Sequence, residues 1–213
     1  MNKIVLENYT KIINRKCILN NINMSLDSNK IYGFIGRNGS GKTMLLRAFC
    51  GLIKPTKGRI LIDGMELTKD LDFPPSCGAI IETPGFWNEF TGFECLKTIA
   101  RIKKIISDTE IKKWMEAFEL DSNDKRPYRK YSLGMKQKLA LVQAFMERPD
   151  LIILDEPTNA LDENSIKIFR DITQKEHQRG ATILLASHQR EDINILCNEV
   201  YLLKDGYANK LEE

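Results

Sequence analysis

Eight consecutive residues, Gly36-Arg37-Asn38-Gly39-Ser40-Gly41-Lys42-Thr43, follow the pattern G-x-x-x-x-G-K-[ST]. That pattern suits phosphate binding. Its glycines let the backbone turn with successive amides pointing inward, an anion nest at the start of a helix. Lys42 is spaced to reach the β- and γ-phosphates of a nucleotide, and Thr43 to offer its hydroxyl to Mg²⁺. A plain Gly-rich turn between two elements would not call for the Lys-Thr pair.

A second constellation stands at Leu151-Ile152-Ile153-Leu154-Asp155-Glu156, four apolar residues ending in two carboxylates. A buried strand that delivers acids at its C-terminal end places them where open α/β sheets build their sites. Asp155 then serves the Mg²⁺ shell, directly or through water. Glu156 serves as general base toward an attacking water. Alone, such a run could equally be a strand ending in a solvated acidic turn; the phosphate loop gives it its meaning.

The elements that must position these groups are legible in the hydrophobic periodicity. Strands are expected at Lys3–Asn8, Ile18–Leu26, Lys30–Ile35, Gly58–Asp63 and Cys77–Ile81. The loop lies between the third of these and a helix over Met44–Cys50. The middle is helical. Thr91 with Glu94 and Ser107 with Glu110 have capping-box spacing, Ile111, Trp114, Met115 and Phe118 make one apolar face, and a further helix spans Gly134–Arg148. Alternation then returns with strands at Leu151–Leu154, Ala181–Ala186 and Val200–Leu203, helices at Asp162–Gln178 and Glu191–Cys197, and a turn at Asp205-Gly206. Such alternation implies an α/β fold with a mostly parallel sheet. Residues 1–213 read as one domain, with a core at 1–83 and 149–213 and an inserted helical subdomain at about 84–148.

Tyr131-Ser132-Leu133-Gly134-Met135-Lys136-Gln137, ending 18 residues before Asp155, resembles the LSGGQ signature of the ABC ATPases. Pro157-Thr158-Asn159-Ala160-Leu161-Asp162 is similar to that family's D-loop, and Ser187-His188 to its switch histidine. The order holds over nearly the whole chain. The resemblance implies the P-loop ABC-ATPase fold, with an N-terminal antiparallel part. It also implies an ATP-hydrolysing transporter subunit that uses Mg²⁺ with ATP, is catalysed by Glu156 and His188, and works beside a transmembrane permease. Two such subunits, identical or different, would pack head to tail. Ser132, Gly134 and Met135 of one would then meet the nucleotide held by the other's loop, with Asp162 in the D-loop. Chemistry supports the signature independently: Ser-x-Gly at a helix start is another anion site. The variants YSLGMKQ and IIETPGF are similar to the branch of bacitracin-type and lantibiotic-immunity exporters, which implies export of an antibiotic or peptide-like compound.

Two positions depart from the family. Glu82 stands where a Q-loop glutamine is usual, and reads as a metal-side variant or as a strand-end acid turned to solvent. Ile13 stands where an aromatic residue usually stacks on adenine, with Tyr9 as the neighbour that better suits a core. Pro84-Gly85-Phe86-Trp87-Asn88-Glu89-Phe90 adds three aromatics, either anchors for a helix of the permease or local packing.

Composition narrows the alternatives. The 213 residues are 42% hydrophobic and 29% charged with a net charge of +3, ordinary for a globular chain, and the signs are interspersed. No basic footprint points to nucleic acid. The odd set Cys17, Cys50, Cys77, Cys95 and Cys197 lacks CxxC spacing and fits buried thiols in a reducing compartment better than a disulfide frame or a zinc site. His177 reads as a solvated or helix-end residue. With no signal-like start and no apolar run long enough to span a bilayer, the expected place is the cytoplasmic side of the membrane, with another chain spanning it. The competing reading is a soluble ABC ATPase acting on ribosomes or DNA. The single cassette, and the 89 residues from Thr43 to Ser132, argue against its two-cassette and coiled-coil forms.

Overall fold

The computed structural model describes residues 3–82 and 85–211. Thr83 and Pro84, at the expected junction of core and helical segment, lie outside the described residues, as do the first two and last two. In chain order the first half comprises β1 (Lys3–Ile13), β2 (Lys16–Asp27), β3 (Ile31–Ile35), α1 (Lys42–Phe49), β4 (Lys57–Ile62), β5 (Met65–Glu66), β6 (Cys77–Ile80), α2 (Gly92–Lys103) and α3 (Asp108–Ala117). A 3₁₀ turn at Tyr128–Lys130 leads to α4 (Leu133–Phe145), β7 (Leu151–Asp155), α5 (Glu163–Gln178), β8 (Thr182–Ala186), α6 (Arg190–Leu196), β9 (Glu199–Lys204) and β10 (Tyr207–Lys210).

The strands form two sheets. An antiparallel sheet has the order β2-β1-β4-β5, and a six-stranded one the order β10-β9-β3-β8-β7-β6. In the latter, every pairing is parallel except β9 with β10. β7 and β8 are buried at all positions, which is why their sequences are unbroken apolar runs. Their two-residue period feeds two cores. Ile152 and Leu154 of β7 pack with the helices α2 to α5, whereas Leu151 and Ile153 pack with α1 and the antiparallel sheet.

The first strand runs past its expected end at Asn8. Asn8 takes a left-handed φ of 50° and interrupts the register with β2. That is a bulge, and pairing resumes at Tyr9. Asn14 and Arg15, both at positive φ, then make the two-residue hairpin to Lys16. Tyr9 is fully buried and its hydroxyl donates to the Ile53 carbonyl at 3.3 Å, a core role. β10 beyond the Asp205-Gly206 turn is absent from the sequence reading, because its residues are mostly exposed and show no apolar alternation. All five cysteines are free thiols, but only Cys50 and Cys95 are buried as expected; Cys77 and Cys197 are half-buried and Cys17 is exposed. His177 Nε2 lies 3.0 Å from the Asn29 carbonyl oxygen.

Both capping boxes form. Thr91 and Glu94 open α2, and Ser107 and Glu110 open α3, each pair satisfying two helix-start amides reciprocally. The helical part rests on the core sheet where α4 crosses β6. At Gly78 a Cβ would stand 1.9 Å from the Ala144 carbonyl oxygen, so the two backbones touch. Gly78→Ala should therefore destabilise the fold by about 3 kcal/mol or more through overpacking. At roughly 2–4 °C per kcal/mol for a chain of this size, thermal melting would register a drop of several degrees. An unchanged melting temperature would mean that this contact yields freely.

Candidate functional site

α1 begins at Lys42, directly after the glycine-rich loop. The loop curls around its own lysine: Lys42 Nζ donates to the Gly36 carbonyl at 2.9 Å, with the Arg37 carbonyl at 3.5 Å. Gly36 is required by contact, since a Cβ there would lie 2.4 Å from the Leu203 carbonyl oxygen and 2.6 Å from Ser40 Oγ. Ser40 Oγ is buried with no protein partner among the described residues. A cradle of amides, a central ammonium and an unpartnered hydroxyl fits an oxyanion.

In the first turn of α1, Thr43 Oγ1 donates to Asp155 Oδ2 at 2.7 Å. Asp155, at the end of β7, is buried. Burial pushes its carboxyl above the ordinary carboxylate range, against the downward pull of the Thr43 hydrogen bond and Lys42; the charges of Glu156 and Glu82 push it further up. A hydroxyl and a carboxylate are the hard oxygen donors that Mg²⁺ takes, usually one or two protein groups together with phosphates. Among the described residues no group of three or more His, Cys, Asp or Glu could hold a metal by itself. The fit is thus to a cation shared with a phosphate chain.

Glu156 leaves the strand with φ of 51°, its N–H donating to the Ala186 carbonyl at 2.8 Å. Its Oε2 lies 3.2 Å from the His188 backbone nitrogen and 2.6 Å from His188 Nδ1. A proton on Nδ1 makes both groups donors to one carboxylate oxygen, leaving the carboxylate fixed and able to accept a proton from water. The acid and the histidine, far apart in sequence, are therefore one unit.

The other expected residues are placed as follows. Ser132 caps α4, Oγ accepting from the Met135 N–H at 3.2 Å, with Gly134 in the first turn. Asp162 caps α5 and accepts from the Ser165 N–H and hydroxyl at 2.8 and 2.7 Å. Ser132, Gly134, Met135 and Asp162 share a small hollow of about 340 Å³. A larger cleft of about 740 Å³ runs from Asn38, Lys42 and Thr43 past Asp155 and Glu156 to Leu133, Lys136 and Gln137 at the start of α4. Ile13 is half-buried at the end of β1 and is not among the residues lining this cleft; Lys16 and Ile18 of β2 form that wall. Glu82 does line the cleft, but its carboxylate meets Arg47 at 2.8 Å.

Sequence reasoning missed two supports. Arg47 is spaced four residues from Thr43, and that helical interval was the available signal. Asp192, fully buried, accepts from Thr158 Oγ1 at 2.7 Å and from Arg170 Nε at 2.8 Å, tying the segment after Glu156 to α6. As an acid in the first turn of a helix, Asp192 carried no sign of burial.

The raised Asp155 carboxyl makes a signed prediction. Its ionised form is less favoured in the folded chain than in the unfolded one, so at neutral pH its charge costs stability. Asp155→Asn keeps an acceptor for Thr43 and should raise the melting temperature of the nucleotide-free protein, by about 2–4 °C per kcal/mol relieved. The gain should be full at neutral pH and vanish as pH falls below the ordinary Asp value of 3.8, where both states bind the proton. A gain that grew toward acid pH would reverse the assignment.

Comparison with known proteins agrees with this geometry. Residues 19–159 match the ABC transporter family. The chain is 47% identical over 206 residues to the uncharacterized ABC transporter ATP-binding protein YybJ of Bacillus subtilis, covering 97% of this chain and 94% of that one. It is 36% identical to the bacitracin transport ATP-binding protein BcrA of Enterococcus faecalis, covering 94% of this chain and 66% of BcrA. A solved ATP-binding subunit of an ABC transporter superposes with a TM-score of 0.87 at 27% identity, covering 98% of this chain and 89% of that one. A family match over residues 19–159, with relatives 36–47% identical over 94–97% of the chain, makes the chain a member of the ABC transporter family.

Proposed function

We propose that this chain is the ATP-hydrolysing subunit of an exporter, working at the cytoplasmic face of a membrane and energising a separate transmembrane permease. The main support is the meeting of the phosphate loop and the acidic strand end, Thr43 against Asp155 at 2.7 Å, with Glu156 held by His188 beside them.

In this reading the loop amides and Lys42 receive the β- and γ-phosphates. Thr43 and Asp155 hold Mg²⁺, which when bound offsets phosphate charge. Glu156 accepts the proton of the attacking water as the β–γ bridge oxygen departs with ADP. His188, anchored to Glu156 at Nδ1, keeps the base aimed. The start of α4, with the Ser132 hydroxyl, Gly134 and Met135, is a second anion site. It would complete the pocket of a facing cassette, a second copy or a relative, so that ATP becomes part of the interface and association depends on it. The whole chain acts as one ATPase domain, its helical segment at about 84–148 carrying that second site.

Among the described residues no helix is long and apolar enough to cross a membrane, so spanning falls to the permease. Trp87 and Phe90 suit its docking. They stack at 5.8 Å and remain 47% and 39% exposed. Phe86 instead turns inward, edge-on to Tyr128 at 5.3 Å, half-buried against the helical core. The kinship with a bacitracin transport protein supports an antibiotic or peptide-like cargo.

Glu156→Gln should cut phosphate release by about 10²-fold or more, the share of a general base, while an ATP-bound dimer persists on gel filtration. Near-normal turnover would remove Glu156 from the base role. Trp87→Ala should weaken co-purification of the permease with ATP affinity unchanged, whereas Phe86→Ala should lower the melting temperature. The reverse pattern would exchange their roles, and recovery of ribosomes instead of a membrane protein would support the soluble alternative.

A further inference from the structure

Glu82 brings a third carboxylate to a cleft wall that already carries Asp155 and Glu156. A cleft that receives a triphosphate should reject such a charge, and the family's usual glutamine adds none. The compensation comes from α1. Arg47 lies one turn beyond Thr43, so both leave the same face of the helix. Arg47 Nη2 stands 2.8 Å from Glu82 Oε2. The two side chains are 32% and 56% exposed, a partly solvated pair that each can leave or rejoin. Glu82 closes the segment after β6 with φ of 61°, a conformation that its tie to Arg47 helps hold.

Resting on the ATP-binding reading above, we propose that Arg47 is the positioning residue for position 82. It holds the Glu82 carboxylate against α1 and offsets its charge, which lets the cleft accept a polyphosphate with an acid where the family has an amide. A competing role exists for Arg47. In the last turn of α1 its charge complements the helix dipole. That role is blind to the residue at 82, and the proposed one is not.

The test is a double-mutant cycle on the full chain, read as ATP affinity in EDTA, where no metal can offset charge, and repeated with Mg²⁺. Arg47→Gln should weaken metal-free ATP binding by about five- to thirty-fold, the scale of one uncompensated charge a few ångström away at high effective dielectric. Glu82→Gln should bind as tightly as the unaltered chain or tighter. Arg47→Gln combined with Glu82→Gln should fall within about two-fold of Glu82→Gln alone, and Arg47→Lys should restore most of the loss. Equal losses from Arg47→Gln in both backgrounds, no loss in the Glu82 chain, or a double variant that does not bind would each overturn the proposal. Failure of the underlying reading looks different: the unaltered chain would not bind ATP, or Lys42→Ala would leave binding intact.

Discussion

The site depends on one hydrogen bond, from the Thr43 hydroxyl to the Asp155 carboxylate. It joins the first turn of α1 to the end of a strand more than a hundred residues later. The order of the core sheet makes it possible. β3 and β7 flank β8, all three parallel, so their C-terminal ends emerge at one edge. The loop leaves β3, the two acids leave β7, and the histidine segment leaves β8 between them. Asp155 pairs with Ala186, which brings Glu156 beside His188, two residues further on. Parallel strands need buried faces on both sides. The two cores flanking β7 and β8 are therefore what hold three loops at one edge.

That arrangement concentrates charge. Asp155 is buried, Glu156 adjoins it and Glu82 faces the same cleft, while Lys42 and Arg47 bring the nearest cations named at the site. Burial raises the Asp155 carboxyl, so the isolated chain is electrostatically unrelieved there. In the proposed reading a bound cation would offset the carboxylates, and the phosphates would offset Lys42. The geometry thus favours joint occupancy of the cleft over binding of either partner alone, since metal and phosphate each remove the other's cost.

The motifs were legible because their chemistry is local. A phosphate loop, an apolar run ending in acids, and two capping boxes each lie within a dozen residues, and the structure forms all of them. The strands of the parallel sheet were legible for the same reason, since burial on both faces leaves an unbroken apolar signature. What escaped was long-range. Nothing around Asn8 distinguishes a bulge from a strand end. Nothing near Asp192 announces that Thr158 and Arg170 will bury it. Arg47 and Glu82 are joined only through the packing of α1 beside β7 and β8, so the charge at 82 had no visible partner. The aromatic segment shows the limit most plainly: Phe86 and Trp87 are neighbours in sequence, yet one packs against Tyr128 and the other faces solvent.

The two helix starts proposed as anion sites are held to the chain differently. The start of α1 is tied to the core by the Lys42 bonds to its own loop and by Thr43 to β7. Behind the acids, the buried Asp192 of α6 accepts from Thr158 and from Arg170 of α5, joining three segments at one carboxylate. The start of α4 meets the segment carrying Thr158 through Gln137, whose Nε2 donates to the Pro157 carbonyl at 2.8 Å, while Leu133 beside it is 66% exposed. One neutral side-chain hydrogen bond contributes about 1 kcal/mol. That bond supplements a larger apolar contact, since α2 to α4 share a core with Ile152 and Leu154 of β7 and α4 touches β6 at Gly78. Whatever bound Ser132 and Gly134 from outside would therefore bear on a helix packed against the strand that carries Asp155, and the two helix starts would answer to one core.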